Sequence, residues 1–329
     1  MKNILVFGGA GYIGSHTLKH LIESGYTCVA ADNLVYGHCE AIPSGVPFEH
    51  VDLLDQAALG TLFSKYKFDA VMHFAAYAYV GESVNDPQKY YKNNVIGTLN
   101  LLSAMLDAGV KDIVFSSSCA TYGEPVYTPI DEEHPQNPIS PYGATKMMVE
   151  KILADYGNAY GLRWIALRYF NAAGAAIGTA GTDGSGEIGE SHNPETHIIP
   201  LVLQAIKNNK PLQIFGTDYD TPDGTCIRDY VHVDDLAAAH RLSLEKLKDF
   251  NGALNLGTGA GVSVKEIITA AEKASGKKCP VEYSAMREGD PAKLFAANGK
   301  ARKILGWEPK LSMSEIMTSA WKWEQSRRY

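Results

Sequence analysis

The sequence predicts an α/β protein with a Rossmann-type, doubly wound parallel sheet and a smaller α+β C-terminal domain. Three observations support this prediction. Short apolar runs alternate with stretches of helical periodicity in the first half of the chain. A glycine-rich segment lies directly between the first apolar run and the first helical stretch. The length of 329 residues exceeds what one hydrophobic core of ordinary size needs, so we expect two domains.

The first half of the chain contains five predicted strands and four predicted helices. The strands cover residues 4–7, 28–31, 48–51, 70–74 and 113–116. The helices cover residues 12–23, 55–65, 87–107 and 141–160. Parallel strands are joined by crossover helices, so this alternation predicts a sheet that is covered on both faces.

The pattern loosens after Asn171. Residues 172–197 are rich in Gly, Ala, Thr, Ser and Glu and show little periodicity, which predicts a long loop with a functional role. Short strands are then predicted at residues 212–215, 253–256 and 281–283, and helices near 234–246 and 264–273. We expect one domain over residues 1–171 and a second over 172–329, with segments around 228–257 able to return to the first.

Composition excludes several classes of function. With 30 basic and 37 acidic residues the net charge is −7, so the chain has no overall field that would hold a nucleic acid. The five cysteines are scattered without close pairs, which fits reduced thiols and predicts neither a metal site nor a disulfide framework. The sequence has no apolar run of about 18 residues and begins without a signal-peptide pattern, so we expect a cytoplasmic protein with no membrane contact.

The glycine-rich segment predicts a dinucleotide site. Gly8, Gly11 and Gly14 have the spacing that allows a tight turn, close approach of the backbone to a pyrophosphate, and close packing of helix on strand. Asp32 follows 18 residues after Gly14, where a carboxylate can accept hydrogen bonds from a ribose. No basic residue occurs in the next five positions, which favours NAD over NADP. Asp52 ends the third strand and is placed either to meet the adenine or to cap a turn.

A second group of residues indicates alcohol oxidation. Tyr142 and Lys146 are four residues apart, so on a helix they share a face. A phenol is a poor base near neutral pH, but an adjacent cation stabilises the phenolate and lowers its pKa. Ser118 leaves the fifth strand at the carboxyl edge of the sheet, where ligands of such sheets bind. An isolated Tyr–Lys pair could be a surface coincidence; together with Ser118 and the glycines it predicts a serine relay, a tyrosine base and a tuning lysine.

With these residues, the sequence resembles the extended short-chain dehydrogenase/reductase family over essentially its full length. Within that family it is similar to the 4-epimerases that interconvert UDP-glucose and UDP-galactose. The resemblance is carried by residues 8–14, 32–34, 73–76, 80–83, 93–95, 115–123, 142–146, 168–171, 223–225, 228–233 and 287–290.

The resemblance implies an NAD site, a UDP-sugar site and a homodimer. NAD would be held by Gly8, Gly11, Tyr12, Ile13, Gly14, Asp32, Asn33, Leu34, Val35, Tyr36, Gly37, Asp52, Leu53, Phe74, Ala75, Ala76, Asn93, Tyr142, Lys146 and Phe170. The UDP-sugar would meet Ser118, Tyr142, Asn171, His197, Ile198, Gln213, Ile214, Phe215, Arg228, Arg287 and Asp290. Guanidinium groups suit a diphosphate, although either arginine could equally form a surface ion pair. The dimer would form through a helix bundle of residues 94–107 and 142–160; burial of these helices within one chain is the alternative.

The implied reaction begins when Tyr142, as phenolate, removes the O4 proton while the C4 hydride passes to NAD. The resulting 4-keto sugar would rotate and take the hydride back on its opposite face. Two alternatives stay open: a sibling 4-epimerase for UDP-N-acetylhexosamines or UDP-pentoses, and an NAD-sensing regulatory protein on the same fold.

The chain departs from the family pattern at a few positions. Some members have lysine where this chain has Ala78, so the cofactor contact of that lysine is absent here or is made through water. Other members have asparagine where this chain has His197. Thr121 lies one residue later than in some members. Leu294 lies where the family's sugar-pocket gate is expected, and its intermediate size leaves the acceptance of N-acetylated sugars open.

Overall fold

The computed structural model describes residues 2–178, 186–286 and 290–329. Within them, strands β1 to β14 are Asn3–Phe7, Thr27–Asp32, Phe48–His50, Ala70–His73, Asp112–Ser118, Arg163–Tyr169, Asn171–Ala173, Leu212–Phe215, Ile227–Arg228, Tyr230–His232, Gly252–Leu256, Val262–Ser263, Val281–Ser284 and Lys293–Leu294. Helices α1 to α11 are Tyr12–Glu23, Gln56–Lys65, Val80–Asn85, Pro87–Tyr90, Gly97–Asp107, Pro141–Tyr160, Ile198–Asn208, Val233–Lys246, Val264–Ser275, Gly299–Leu305 and Met313–Gln325. A π-helical segment, Tyr91–Ile96, joins α4 to α5.

Seven parallel strands form the central sheet, in the order β11-β6-β5-β4-β1-β2-β3. Side chains of α1 and α8 pack on one face, and those of α2, α5 and α6 pack on the other. The predicted doubly wound, Rossmann-type fold is therefore confirmed. The strand order reverses between β1 and β4, and in such sheets ligands bind beyond the carboxyl ends of the strands at that point.

The predicted helices over residues 12–23 and 141–160 agree with α1 and α6 at both ends. Strand β6 was not predicted, because Arg168 interrupts its apolar run. In the structure this arginine is buried and paired with Glu150, so the strand interior accommodates its charge. The predicted helix over residues 87–107 is present as α4, the π-helical segment and α5 in succession.

Strand β11 is an edge strand of the central sheet although it lies within the second region of the chain, residues 172–329. Helix α8, which precedes β11, packs against α1. The chain therefore leaves the central sheet after β6 and returns to it with β11, about eighty residues later. The division of the chain into two domains, with segments around 228–257 able to return to the first, stays a prediction.

The rest of the second region has its own core. Helices α7, α9 and α11 bury apolar side chains such as Val202, Ile267 and Met317 against one another. Three small sheets surround this core: β7 with β10, β8 with β13, and β9 with β12 and β14. The predicted loop over 172–197 begins within β7 and ends where α7 starts, and its residues 179–185 lie outside the described part. Among the described residues, no helix has the length and apolar character needed to cross a membrane.

Candidate active site

The glycine turn between β1 and α1 is shaped by close backbone approach. Gly8 has φ +86°, and a Cβ there would lie 2.5 Å from the backbone nitrogen of Ala75. A Cβ on Gly14 would lie 2.1 Å from the carbonyl oxygen of Gly8. Gly11 begins the helix without a side-chain cap, so the first N–H groups of α1 remain open to an anion. The turn therefore fits a dinucleotide pyrophosphate.

Asp32 ties the loop after β2 to this turn. Its Oδ2 accepts a hydrogen bond from the Ala10 backbone N–H at 3.1 Å, and its Oδ1 accepts one from Leu34 at 2.9 Å. Burial raises the pKa of Asp32, while these hydrogen bonds act in the opposite direction. Each carboxylate oxygen keeps further acceptor capacity, so Asp32 can still accept from a ribose hydroxyl.

Asp52 has the turn role that the sequence left open. Its Oδ1 accepts from the backbone N–H of Leu54 at 2.7 Å, and its Oδ2 accepts from Asn33 Nδ2 at 2.9 Å. The second bond joins the loops after β2 and β3. A contact between Asp52 and adenine stays a prediction.

The other residues expected at the cofactor are spread along the same edge of the sheet. Phe74 and Ala75 follow β4 directly, and both backbone N–H groups donate to the carbonyl oxygen of Phe7. Asn93 and Phe170 are buried. Tyr12 is different, because its hydroxyl donates to the Gly174 carbonyl oxygen at 2.6 Å. Its side chain thus contacts the start of the second region, which leaves its backbone for the cofactor.

Ser118, Tyr142 and Lys146 come together in the structure. Ser118 ends β5 beside the Tyr142 phenol, and its hydroxyl acts to lower the pKa of that phenol. Lys146 Nζ donates to the Ser116 carbonyl oxygen at 2.7 Å and lies 5.9 Å from the centre of the Tyr142 ring. Tyr142 and Lys146 both lie on helix α6. Ser140 caps the first turn of this helix, because its Oγ accepts from the Gly143 N–H at 3.2 Å.

The pKa of the phenol differs from the sequence-based expectation. Burial raises the pKa of Tyr142 to about 12, and the hydrogen bond with Ser118 offsets this only in part. Burial lowers the pKa of Lys146 to about 7, against the opposing charge of Glu150. In the protein alone, desolvation of the phenolate therefore dominates the pKa of Tyr142, and the role of Lys146 as the tuning cation stays a prediction.

Glu150 and Arg168 form a buried ion pair beside this group, and sequence reasoning missed both. Arg168 Nη2 lies 2.5 Å from Glu150 Oε2, and Arg168 Nε donates to Oε1 at 2.9 Å. Ser117 Oγ donates to the same carboxylate at 2.5 Å. A helical signal was available: Tyr142, Lys146 and Glu150 follow one another at intervals of four residues on α6.

A cavity of about 660 Å³ lies in the second region. Its lining contains most of the residues expected to meet the UDP-sugar, namely Asn171, His197, Ile198, Gln213, Ile214, Phe215, Arg228 and Asp290. Ser118 and Tyr142 are not part of this lining. Arg287 lies outside the described residues. The structure thus gathers the expected substrate residues into two places, the cavity and the Tyr142 group.

Arg228 has a defined partner in the cavity. Its Nη2 forms an ion pair with Asp290 Oδ1, and its Nη1 donates to the Ile227 carbonyl oxygen at 2.8 Å. Tyr219 OH donates to the other Asp290 oxygen at 3.2 Å. The alternative of an ion pair is therefore realised, but it lies in the cavity wall, where Asp290 orients the guanidinium.

The structure also forms a histidine and glutamate cluster at the start of α7, of which sequence reasoning named His197 alone. It consists of Glu190, His192, Glu195 and His197, whose nearest polar atoms all lie within 4.8 Å of one another. Glu190 and His197 line the cavity. No sequence spacing marked this cluster, because its members lie in a stretch without periodicity.

The comparisons with known proteins agree with this geometry. Residues 4–257 match the NAD dependent epimerase/dehydratase family. The chain is 52% identical over 329 residues to a UDP-glucose 4-epimerase of Rhizobium meliloti (strain 1021), covering 99% of this chain and 98% of that protein.

Two solved structures are also similar over 98% of both chains. The UDP-glucose 4-epimerase of Brucella ovis in complex with NAD has a TM-score of 0.92 and 50% identity. That of Bifidobacterium longum in complex with NAD⁺ and UDP has a TM-score of 0.91 and 38% identity. On this evidence, the chain belongs to the NAD dependent epimerase/dehydratase family.

Proposed function

We propose that the chain interconverts UDP-glucose and UDP-galactose, with NAD as its cofactor, through a 4-keto sugar. The main support for this function is sequence identity: about half of the residues are identical to those of UDP-glucose 4-epimerases over nearly the full chain. The grouping of Ser118, Tyr142 and Lys146 at the carboxyl edge of the sheet supplies the chemistry that such a reaction requires.

The residues around the glycine turn and the start of α1 fit NAD. A Cβ at Gly8 or Gly14 would overlap neighbouring backbone, so these glycines keep the turn tight, and the start of α1 has no side-chain cap. When bound, NAD accepts a hydride from the sugar C4 and returns it. We propose that the residues named above for the cofactor hold it, with Asp32 at the adenosine ribose and the backbone of the glycine turn at the pyrophosphate.

Tyr142 is the proposed acid and base of the reaction. Its phenolate would take the proton from O4 of one sugar and return it to the other, with Ser118 as the hydrogen-bonding relay. Because burial keeps the phenol protonated, proton removal needs added positive charge at the site. Lys146 provides that charge when protonated, and its pKa of about 7 makes both of its forms accessible near neutral pH.

The cavity would anchor the nucleotide diphosphate while the hexose turns. Arg228 has the planar donor geometry that suits a phosphate oxygen, and Asp290 keeps it in place. A fixed anchor lets one Tyr142 serve both faces of the keto sugar, since only the hexose has to move. Leu294 in β14 pairs in register with Arg228, so the proposed gate residue lies beside the anchor.

Two measurements test this function. We expect purified protein to carry bound NAD in its ultraviolet spectrum and to convert UDP-galactose to UDP-glucose. A parallel assay with UDP-N-acetylglucosamine and a UDP-pentose separates the sibling 4-epimerases. Bound NAD without conversion of any of these sugars would favour the NAD-sensing protein and contradict the proposal.

We further propose a cytoplasmic homodimer formed through α5 and α6. Ile96, at the end of the π-helical segment before α5, and Met148 on α6 are apolar and exposed, in addition to Val84 on α3. Such side chains lose contact with water when a second copy covers them. Gel filtration should give twice the chain mass, and Met148→Glu should shift the protein toward the monomer; an unchanged elution volume in that variant would contradict this interface. Cell fractionation tests the location.

A further inference from the structure

The start of helix α7 carries a histidine that faces the cavity. His197 precedes the helix as its N-cap residue, and α7 continues for 11 residues. The first N–H groups of a helix attract anions, and Arg228 lines the same cavity. This part of the wall therefore combines a helix end, an imidazole and a guanidinium.

Two carboxylates hold the His197 ring. His197 Nδ1 lies 2.8 Å from Glu190 Oε1 and 3.0 Å from Glu195 Oε1. Glu195 Oε1 also accepts from the backbone N–H groups of Thr196 and His197, at 2.8 and 2.9 Å. Because Nδ1 is engaged by the carboxylates, Nε2 is the ring nitrogen that remains for a ligand in the cavity.

The carboxylates are buried, whereas the ring they hold is not. The side chains of Glu190 and Glu195 are each 6% exposed, against 47% for His197. Glu195 Oε2 is buried without a hydrogen-bond partner among the described residues. His192 is the second imidazole of the cluster, and its Nδ1 lies 3.3 Å from Glu190 Oε1. The rings of Tyr12 and Tyr79 pack edge-on against His192 at 6.3 and 6.0 Å.

The charges of the cluster favour an anion only when its histidines are protonated. Two bare carboxylates in the cavity wall would repel a diphosphate. Burial lowers the pKa of His197, but the charge of Glu190 and the hydrogen bonds to both glutamates outweigh it and raise the pKa to about 10. For His192 the same carboxylates overcome burial and raise the pKa to about 9. Near neutral pH the cluster is then balanced in charge, with its positive edge at the cavity.

We infer that Glu190 and Glu195 are positioning residues, which fix the His197 ring so that Nε2–H donates to a phosphate oxygen of the nucleotide sugar. The inference rests on the proposed function for the identity of the ligand. It adds a role for two glutamates that are outside the residues expected at the sugar and the cofactor. His192 and the tyrosine rings complete the enclosure of the carboxylates.

The test is a double-mutant cycle on the holoenzyme, with the dissociation constant for UDP measured by calorimetry. Glu190→Gln keeps the shape of the side chain but removes its charge, and His197→Asn keeps a polar group without an imidazole. We expect each variant to bind UDP about tenfold more weakly near pH 7.5, with unchanged NAD content. The double variant should bind no more weakly than His197→Asn alone, because Glu190 acts through His197.

Glu187→Gln is the matched control, since Glu187 is half-exposed and pairs with Lys19 on the surface. It should leave the affinity for UDP unchanged. Glu195→Gln provides a second route if Glu190→Gln does not fold, as judged by its NAD content and melting temperature. Additive losses in the cycle would overturn the inference, as would wild-type affinity in a folded Glu190→Gln or Glu195→Gln.

Two further outcomes show whether the proposed function or the role of the histidines has failed. If the wild-type protein binds no UDP, the proposed function fails first, and the inference fails with it. Imidazoles and carboxylates also bind divalent cations, so metal content is measured before and after treatment with EDTA. About one zinc ion per chain, with UDP affinity lost on chelation, would overturn the inference by making the histidines metal ligands.

Discussion

The glycine turn and the cavity, which we propose hold the cofactor and the UDP-sugar, are built in different ways. The turn uses backbone shape: Gly8, Gly11 and Gly14 lie within seven residues, and neighbouring backbone packs closely where Gly8 and Gly14 lack a side chain. The cavity uses ionised side chains from distant parts of the chain, such as Arg228 and His197, and each has a carboxylate partner. A site made of backbone tolerates almost no added atoms, whereas a site made of side chains depends on keeping its charges paired.

Tyr142→Phe gives the largest expected effect, since Tyr142 is the proposed acid and base of the reaction. Removing the hydroxyl should lower kcat by about 10²- to 10⁴-fold, because no proton can then pass to or from O4. Steady-state assay and an ultraviolet scan measure kcat and NAD content. Tyr160→Phe, on the exposed end of the same helix, is the control and should behave as wild type. Near-normal turnover by Tyr142→Phe would contradict its assignment.

Gly14→Ala tests the backbone site directly. The new Cβ would overlap the carbonyl oxygen of Gly8, so we expect the free energy of unfolding to fall by about 1–3 kcal/mol and bound NAD to be lost. Gly60→Ala is a matched control, because Gly60 is also helical but a Cβ there meets nothing within 4 Å. That substitution should stabilise the protein by about 0.5–1 kcal/mol. Urea unfolding measures both, and equal effects at the two positions would contradict the packing argument.

Arg228→Lys tests the side-chain site. Lysine keeps the charge but loses the planar pair of donors, so we expect KM for the UDP-sugar to rise about tenfold with a much smaller change in kcat. Arg302→Lys is the control: Arg302 is exposed, and its Nε lies 3.4 Å from Glu308. An unchanged KM for Arg228→Lys would remove this residue from the anchor.

The histidine cluster predicts the smallest effect, a pH dependence of stability. The pKa values of His192 and His197, about 9 and about 10, exceed the ordinary value of 6.5, so the folded chain binds these protons more tightly than the unfolded chain. Their contribution to stability is complete below about pH 6.5 and is lost as the pH rises through 9 to 10.

Urea unfolding at several pH values checks this prediction. The wild type should lose stability over that window, and the double variant His192→Asn/His197→Asn should lose less. Identical pH profiles for the two proteins would show that His192 and His197 make no pH-dependent contribution to the free energy of unfolding.

The cofactor region could be predicted from sequence because its signals are local. Helix α1, the glycine turn and Asp32 follow from spacing within about thirty residues, and Tyr142 with Lys146 follows from one helical turn. The pairing of Glu150 with Arg168 could not be predicted, since only the packing of α6 on the sheet brings the two together. The pKa of Tyr142 also escaped prediction, because it depends on how much water the folded chain excludes.

The return of β11 to the central sheet has a consequence for how the protein is made. Strand β6 pairs with β11 through residues 165–169, and their apolar side chains are buried there. During synthesis, about eighty further residues must therefore be added after β6 before β11 can pair with its outer edge. A fragment that stopped near residue 171 would present this strand as an open, apolar edge, and such edges recruit other chains. We expect that fragment to aggregate, so synthesis of the second region is part of folding the first.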